Sequence, residues 1–93
     1  MSGGRTATVL VVEDQPLLLL DSVDLVEAAG LSAYGVRDAD AAIAALGGDP
    51  GIRIVLTGMS LGGSRDGLTL AATVRDRWPA VSVIVMSSSC WVQ

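Results

Sequence analysis

Four short apolar runs alternate along this chain with three segments of helical periodicity. Apolar, β-branched residues dominate each run, and Gly, Pro and Asp separate the segments. Alternation of this kind predicts a parallel sheet with right-handed crossovers and helices on both faces, which is an α/β doubly wound fold. The predicted strands are 8–12, 31–36, 52–57 and 81–86, and the predicted helices are 16–29, 39–46 and 68–78.

The first predicted helix shows a clear division into two faces. Its apolar face comprises Leu19, Val23 and Val26, whereas Asp21, Asp24 and Glu27 lie opposite. Gly30 then ends the helix. For the second helix, Asp38 or Asp40 is a suitable N-cap, and the Gly-rich segment 47–51 ends it.

The first apolar run ends at two adjacent carboxylates, Glu13 and Asp14. The carboxyl end of a strand is where open α/β sheets bind ligands, and two neighbouring carboxylates repel each other unless a cation or proton offsets their charge. A ligand site is one interpretation. A solvated loop, with Asp14 as the cap of the following helix, is an equal alternative.

The amino-acid composition limits the classes of function that this chain can have. The chain has 93 residues, enough for one domain; 51% are hydrophobic and 17% charged, which suggests surface that needs a partner. The net charge is −4 and the six basic residues, all Arg, form no basic cluster; an acidic chain of this kind argues against nucleic-acid or anionic-membrane binding. Cys90 is the only cysteine, and no segment is long and apolar enough to span a membrane. We expect a cytoplasmic protein with an N-terminal arm at 1–7, one domain at 8–88 and a tail at 89–93.

Several short motifs together resemble the receiver domain of bacterial two-component response regulators. The resemblance implies a flavodoxin-like sheet with strand order 2-1-3-4, and a histidine kinase or another signalling protein as partner. The motifs are Val-Leu-Val-Val-Glu-Asp at 9–14, Ile-Val-Leu-Thr at 54–57, Asp-Gly-Leu-Thr-Leu-Ala at 66–71, Val-Arg at 74–75, Trp-Pro at 78–79 and Val-Ile-Val-Met-Ser at 83–87.

The resemblance also implies a set of site residues. Glu13 and Asp14 match the acidic pair that holds Mg²⁺, and the backbone carbonyl of Ser60 matches a third metal ligand. Ser87 matches the hydroxyl residue that switches on phosphorylation. In the family, an Asp after the third strand accepts the phosphoryl group, and a Lys after the fifth strand contacts it.

The sequence departs from the family pattern at the decisive positions. Gly58 stands where the phosphoacceptor Asp is expected, and glycine has no side chain to accept a phosphoryl group. Asp66 is the nearest acid, but using it would move the acceptor away from the third strand. The chain has no Lys, and we expect Mg²⁺ binding to be weak or lost because two acids hold this ion poorly.

The chain also ends soon after the fourth predicted strand, so we expect an incomplete, C-terminally truncated receiver domain. One face of the sheet would then lose its cover, and exposing a few hundred Å² costs several kcal/mol at about 25 cal/mol per Å². That loss is comparable with the stability of a small domain. We therefore expect aggregation, partner-dependent folding, or homodimerisation or strand exchange through the uncovered face.

Three hypotheses about function follow. The first is a degenerate receiver domain, not an enzyme, that acts as a phosphorylation-independent interaction module. The second is an altered or frameshifted fragment of a receiver that can be phosphorylated, which the downstream DNA sequence would reveal. The third is an unrelated small α/β ligand-binding protein, although the chain has no His, no P-loop and no glycine-rich dinucleotide motif.

Overall fold

A computed structural model describes residues 7–59 and 66–86 of the chain. Seven elements follow one another in the predicted order of strands and helices. They are β1 (Thr8–Val12), α1 (Pro16–Ala28), β2 (Ser32–Val36), α2 (Ala39–Gly48), β3 (Ile52–Gly58), α3 (Gly67–Arg77) and β4 (Ser82–Met86).

The four strands form one parallel sheet in the order β2-β1-β3-β4. The predicted doubly wound topology and strand order are therefore confirmed. β1 is a central strand, and Val9 to Val12 are all buried, because side chains on both of its faces are covered. Continuous burial explains why this strand has no polar alternation.

α2 and α3 cover one face of the sheet and enclose the main core. Leu10 and Val12 of β1 and Val55 of β3 pack there against apolar side chains of the two helices. Successive side chains of a strand point to opposite faces, so Val9 and Val11 lie on the other face, towards α1. The helical contribution to the core comes from Ala39, Ala42, Leu46, Leu70 and Val74.

α1 packs on the opposite face, against β1 and β2, and none of its residues is fully buried. The predicted face is correct, since Leu19, Val23 and Val26 are its half-buried apolar residues. Gly35 of β2 permits the close approach. A Cβ at this position would lie 2.9 Å from Leu19 Cδ1 and 3.3 Å from Val23 Cγ2.

Each helix differs from its prediction at one end or both: α1 ends one residue earlier, at Ala28, and α3 spans Gly67–Arg77 in place of 68–78. α2 continues through Gly48, two residues beyond the predicted end, because Asp49 N–H still donates to the Ala45 carbonyl. The alternative of Asp14 as a helix cap is wrong: Gln15 occupies the N-cap of α1 and forms no side-chain cap. For α2 the cap is Asp38, whose Oδ1 accepts from Ala41 N–H at 2.7 Å.

Candidate functional site

The acidic pair lies at the carboxyl end of β1, between the ends of β2 and β3. Glu13 N–H donates to the Val36 carbonyl at 3.1 Å and so extends the pairing of β1 with β2. The Glu13 side chain is only 9% exposed, and Asp14 is half-buried. The structure thus places both carboxylates at the sheet edge where ligands bind in open α/β sheets.

Gly58 ends β3 directly beside Glu13. A Cβ built on Gly58 would lie 3.0 Å from Glu13 Oε1, and this residue is buried. Among the glycines that the structure describes, only Gly30 has a positive φ, so the backbone conformation at position 58 does not itself require glycine. The position opposite the acidic pair therefore lacks a side chain although the backbone does not require glycine there.

The environment of Glu13 disfavours its negative charge. Burial raises the pKa of this carboxyl above its ordinary value, and the neighbouring Asp14 carboxylate raises it further. Gln15 N–H donates to Glu13 Oε2 at 3.3 Å and opposes the shift only in part. A proton or a cation bound at this carboxylate would relieve the cost.

Asp66, the alternative phosphoacceptor, serves as the N-cap of α3. Its Oδ1 accepts from Thr69 N–H at 2.8 Å, and this backbone hydrogen bond lowers the pKa of the exposed Asp66 carboxyl. The next residue, Gly67, donates its N–H to the Met59 carbonyl at 2.8 Å. A Cβ on Gly67 would collide with the Gly58 carbonyl oxygen, so α3 begins in close contact with the end of β3.

Sequence reasoning did not single out Arg37, which reaches this edge of the sheet from β2. Its Nη2 donates to the main-chain carbonyl of Asp14 at 3.2 Å, across 23 residues of sequence. A signal was available, because Arg37 directly follows β2 and the carboxyl ends of parallel strands share one edge. The guanidinium holds the turn after β1 and brings a positive charge towards the acidic pair.

Two further predicted site residues, Ser60 and Ser87, lie outside the described residues. The structure describes the positions that precede them. Met59 N–H donates to the Met86 carbonyl at 2.9 Å, which joins the ends of β3 and β4. Thr57, fully buried, donates its hydroxyl to the Gly58 carbonyl at 2.9 Å.

The carboxylates at this edge of the sheet are oxygen donors of the kind that Mg²⁺ binds. This ion demands six oxygen ligands in near-octahedral geometry and is commonly held by carboxylates together with a phosphate. Within residues 7–59 and 66–86, no group of three or more His, Cys, Asp or Glu side chains is arranged to hold a metal. Glu13 and Asp14 thus offer two carboxylates at this edge of the sheet, and Gly58 adds no third.

None of the helices in the described part of the chain has the length and apolar character needed to cross a bilayer.

No protein-family model and no curated protein sequence matches this chain. Solved structures do match it. A response regulator receiver protein from Pseudomonas putida superimposes with a TM-score of 0.82 at 27% identity, over 90% of this chain and 69% of that one. The signal receiver domain of an HD domain-containing protein from Pseudomonas fluorescens Pf-5 superimposes with a TM-score of 0.82 at 24% identity, over 89% of this chain and 65% of that one.

The response regulator RcsB, solved in complex with DNA, is also similar. Its TM-score is 0.80 at 24% identity, over 89% of this chain and 43% of RcsB. This chain therefore spans about two thirds of the two receiver structures and less than half of RcsB. The expectation that nucleic acid is not a partner finds no support in these comparisons.

Strand order, helix placement and the acidic pair after β1 agree with the resemblance inferred from the sequence motifs. The solved structures agree with it independently, at TM-scores of about 0.8. This chain has the fold of a response regulator receiver domain.

Proposed function

We propose that the chain is a receiver-like module of two-component signalling that acts through protein contacts without being phosphorylated at position 58. One observation carries this proposal. Glu13 and Asp14 keep the place of a receiver's acidic pair, but the neighbouring position 58 has no side chain. Phosphoryl transfer depends on positioning and charge neutralisation around an acceptor, and here the acceptor is missing.

The surface of α1 supports a role in binding another protein. Leu17, Leu20 and Leu25 are 77%, 60% and 72% exposed. Leucines on several sides of one helix are typical of a helix that another surface covers. The exposed leucines of α1 thus form an apolar surface suited to contact with a histidine kinase or another signalling protein. This contact does not require phosphorylation.

The same proposal has consequences for Mg²⁺ binding and for catalysis. With two carboxylates and no third, Glu13 and Asp14 bind Mg²⁺ weakly or not at all. No catalytic step is assigned to the chain. A proton at Glu13 is the alternative way to offset the charge of the pair, and the raised pKa of this carboxyl favours it.

Treatment with acetyl phosphate and Mg²⁺, followed by intact-mass measurement, tests the proposal. We expect no phosphoryl adduct on the native chain, while a phosphorylatable receiver treated in parallel gains one. An acid-labile adduct on the native chain would contradict the proposal, because it would identify another acceptor.

Two substitutions test whether the missing side chain at position 58 is the cause of weak Mg²⁺ binding. Gly58→Asp places a carboxylate beside Glu13 Oε1, so we expect Mg²⁺ to raise the melting temperature of this variant more than that of the native chain. Gly58→Asn has nearly the same shape without the charge and serves as the matched control. Equal responses of the two variants to Mg²⁺ would show that position 58 does not complete a metal site.

Binding to a partner must also be independent of phosphorylation. Candidate histidine kinases can be tested for binding to the chain with and without acetyl phosphate and Mg²⁺. We expect the same dissociation constant in both conditions. A large change on adding the phosphodonor, seen with the chain but not with the kinase alone, would argue against the proposal.

A further inference from the structure

A cleft of about 430 Å³ opens at the end of the sheet opposite the acidic pair. We call it the amino-end cleft, because it lies where β3 and β4 begin and where α2 and α3 end. β3 is seven residues long, so at about 3.3 Å per residue this cleft is roughly 20 Å from Gly58. Its lining includes Leu46, Ile52, Arg53, Arg77, Trp78 and Val81.

Two arginines line this one cleft in a chain that has only six basic residues and a net charge of −4. Neither guanidinium forms a hydrogen bond or ion pair with another residue that the structure describes. The guanidinium of Arg77 lies over the Trp78 ring, 4.6 Å from its centroid, which orients the group but leaves its N–H donors available. Arg37, by contrast, uses its guanidinium within the fold.

One carboxylate, that of Asp49, also lines the cleft. Its Oδ1 accepts from Gly51 N–H at 2.8 Å, which commits it to the turn that precedes β3. The lining therefore keeps a net positive charge of one from two arginines and one aspartate. An anion with two or three oxygens matches the paired N–H donors of a guanidinium.

The remaining wall of the cleft is apolar. Leu46 and Ile52 are buried core residues whose edges reach the cleft, and Val81 and Trp78 pack against the same core. Small-molecule sites usually occupy about 300 to 1,000 Å³ and combine apolar walls with a few placed polar groups. The amino-end cleft has both the volume and this combination.

We propose that the amino-end cleft binds a small organic anion that carries a flat ring, with Arg53 and Arg77 contacting its carboxylate or phosphate. The ring lies against the apolar wall beside Trp78. The cleft is open on one side, so we expect affinities in the submillimolar to millimolar range. This inference does not depend on the proposed signalling role, because no residue of the cleft belongs to the acidic-pair site.

Titration followed by NMR of the full chain tests the inference. The probes are adenosine 5′-monophosphate and indole-3-acetate, which offer a phosphate and a carboxylate on a flat ring. Adenosine and inorganic phosphate are the half-ligands of the first probe, and indole and acetate are those of the second. We expect at least one probe to shift the Trp78 indole and the amides of Arg53 and Val81 at lower concentration than either half-ligand.

Two charge-removing variants give the matched comparison. Arg53→Gln should weaken binding of the active probe by about tenfold, as expected for loss of a hydrogen bond from a charged donor. Arg75→Gln removes an exposed arginine of α3 that does not line the cleft, and should leave the affinity unchanged. Failure of both probes to shift these signals, or unchanged binding by Arg53→Gln, would overturn the inference. Equal affinity for inorganic phosphate would overturn the role of the ring.

Discussion

The two faces of the sheet differ in how completely their helices bury apolar side chains. On one face, Leu70 and Val74 of α3 are fully buried together with Leu10 and Val55 of the sheet. On the other, α1 buries no residue fully, although its sequence is richer in leucine. The contribution of a helix to stability therefore does not follow from its hydrophobicity alone. It depends on how many of its apolar side chains are buried against other apolar surfaces.

The α1 face also leaves part of the sheet exposed. Ile84 of β4 is 51% exposed, and the neighbouring Leu56 of β3, with which it is in register, is half-buried. Ile84 is exposed on β4, which is an edge strand of the described sheet, whereas Val9 and Val11 of the central strand β1 are buried. Stability should reside mainly in the α2–α3 face, and the α1 face should be available for contacts with other molecules.

The largest difference between the faces is expected from two matched leucine truncations. Leu70→Ala removes a fully buried side chain and should lower the free energy of unfolding by about 2 to 5 kcal/mol. Leu25→Ala on α1, where the side chain is 72% exposed, should change it by less than about 0.5 kcal/mol. Urea denaturation measures both. Similar losses would show that α1 is buried in solution.

A second pair of variants examines where α3 meets the sheet. Gly67→Ala places a methyl group against the Gly58 carbonyl oxygen, and both groups are backbone-fixed, so we expect a loss of about 1 to 3 kcal/mol. Gly47→Ala in α2 meets nothing within 4 Å and should stabilise by about 0.5 to 1 kcal/mol through helix propensity. Opposite signs in thermal denaturation would support the close contact; a neutral Gly67→Ala would contradict it.

At the acidic pair, Glu13→Gln should raise the free energy of unfolding at pH 7 by about 1 kcal/mol or less. The variant removes a buried charge beside Asp14 and keeps an acceptor for Gln15 N–H. The folded-state pKa of Glu13 is raised, so the native chain loses stability as pH rises from 4.5 through that pKa. The two proteins should therefore converge at and below pH 4.5. A constant difference across pH would show that the charge of Glu13 is not the cause.

Asp66 should give the opposite pH dependence. Its folded-state pKa is lowered, so its contribution is present above pH 3.8 and is lost as pH falls through the lowered value. Asp66→Asn keeps a capping side chain but cannot ionise, so the part of the acid-induced destabilisation that comes from Asp66 should disappear. Denaturation at several pH values below 3.8 measures this. If Asp66→Asn loses as much stability below pH 3.8 as the native chain does, the N-cap does not depend on the charge of Asp66.

The smallest expected effect on stability is at the exposed sheet residue Ile84. Ile84→Ser should reduce self-association at micromolar concentration with little change in the unfolding midpoint, because the side chain is already 51% exposed. Val83→Ser is the matched control, since Val83 packs against the core and its loss should destabilise. Analytical ultracentrifugation and urea denaturation report the two properties. If Ile84→Ser self-associates as strongly as the native chain, the surface that mediates self-association does not include Ile84.

Much of the fold could be predicted because its signals are local. The periodicity of Leu19, Val23 and Val26 predicts which side of α1 meets the sheet, and the β1 run predicts a strand buried on both faces. The end of α2 was placed two residues too early, because glycines are read as helix breakers although an open helix end tolerates them.

The site was only partly predictable. Glu13 and Asp14 were identifiable from their position after a strand, whereas the importance of Gly58 was implied only by the resemblance to receiver domains. The roles of Asp66 and Arg37 were not, because each depends on which backbone group lies within hydrogen-bonding distance after folding. The amino-end cleft was missed for the same reason: Arg53 and Arg77 are 24 positions apart and meet only where β3 begins and α3 ends.

By itself, the sequence determined the order of strands and helices, the acidic pair after β1 and the missing side chain at position 58. The first two are properties of local periodicity and of strand ends, and the third has meaning through the resemblance to receiver domains; none of them requires knowledge of distant neighbours. Only the tertiary structure decided that position 58 lies beside Glu13, that α1 leaves its leucines exposed and that two arginines share a cleft. Those features depend on parallel strand pairing and helix packing, which bring distant segments together.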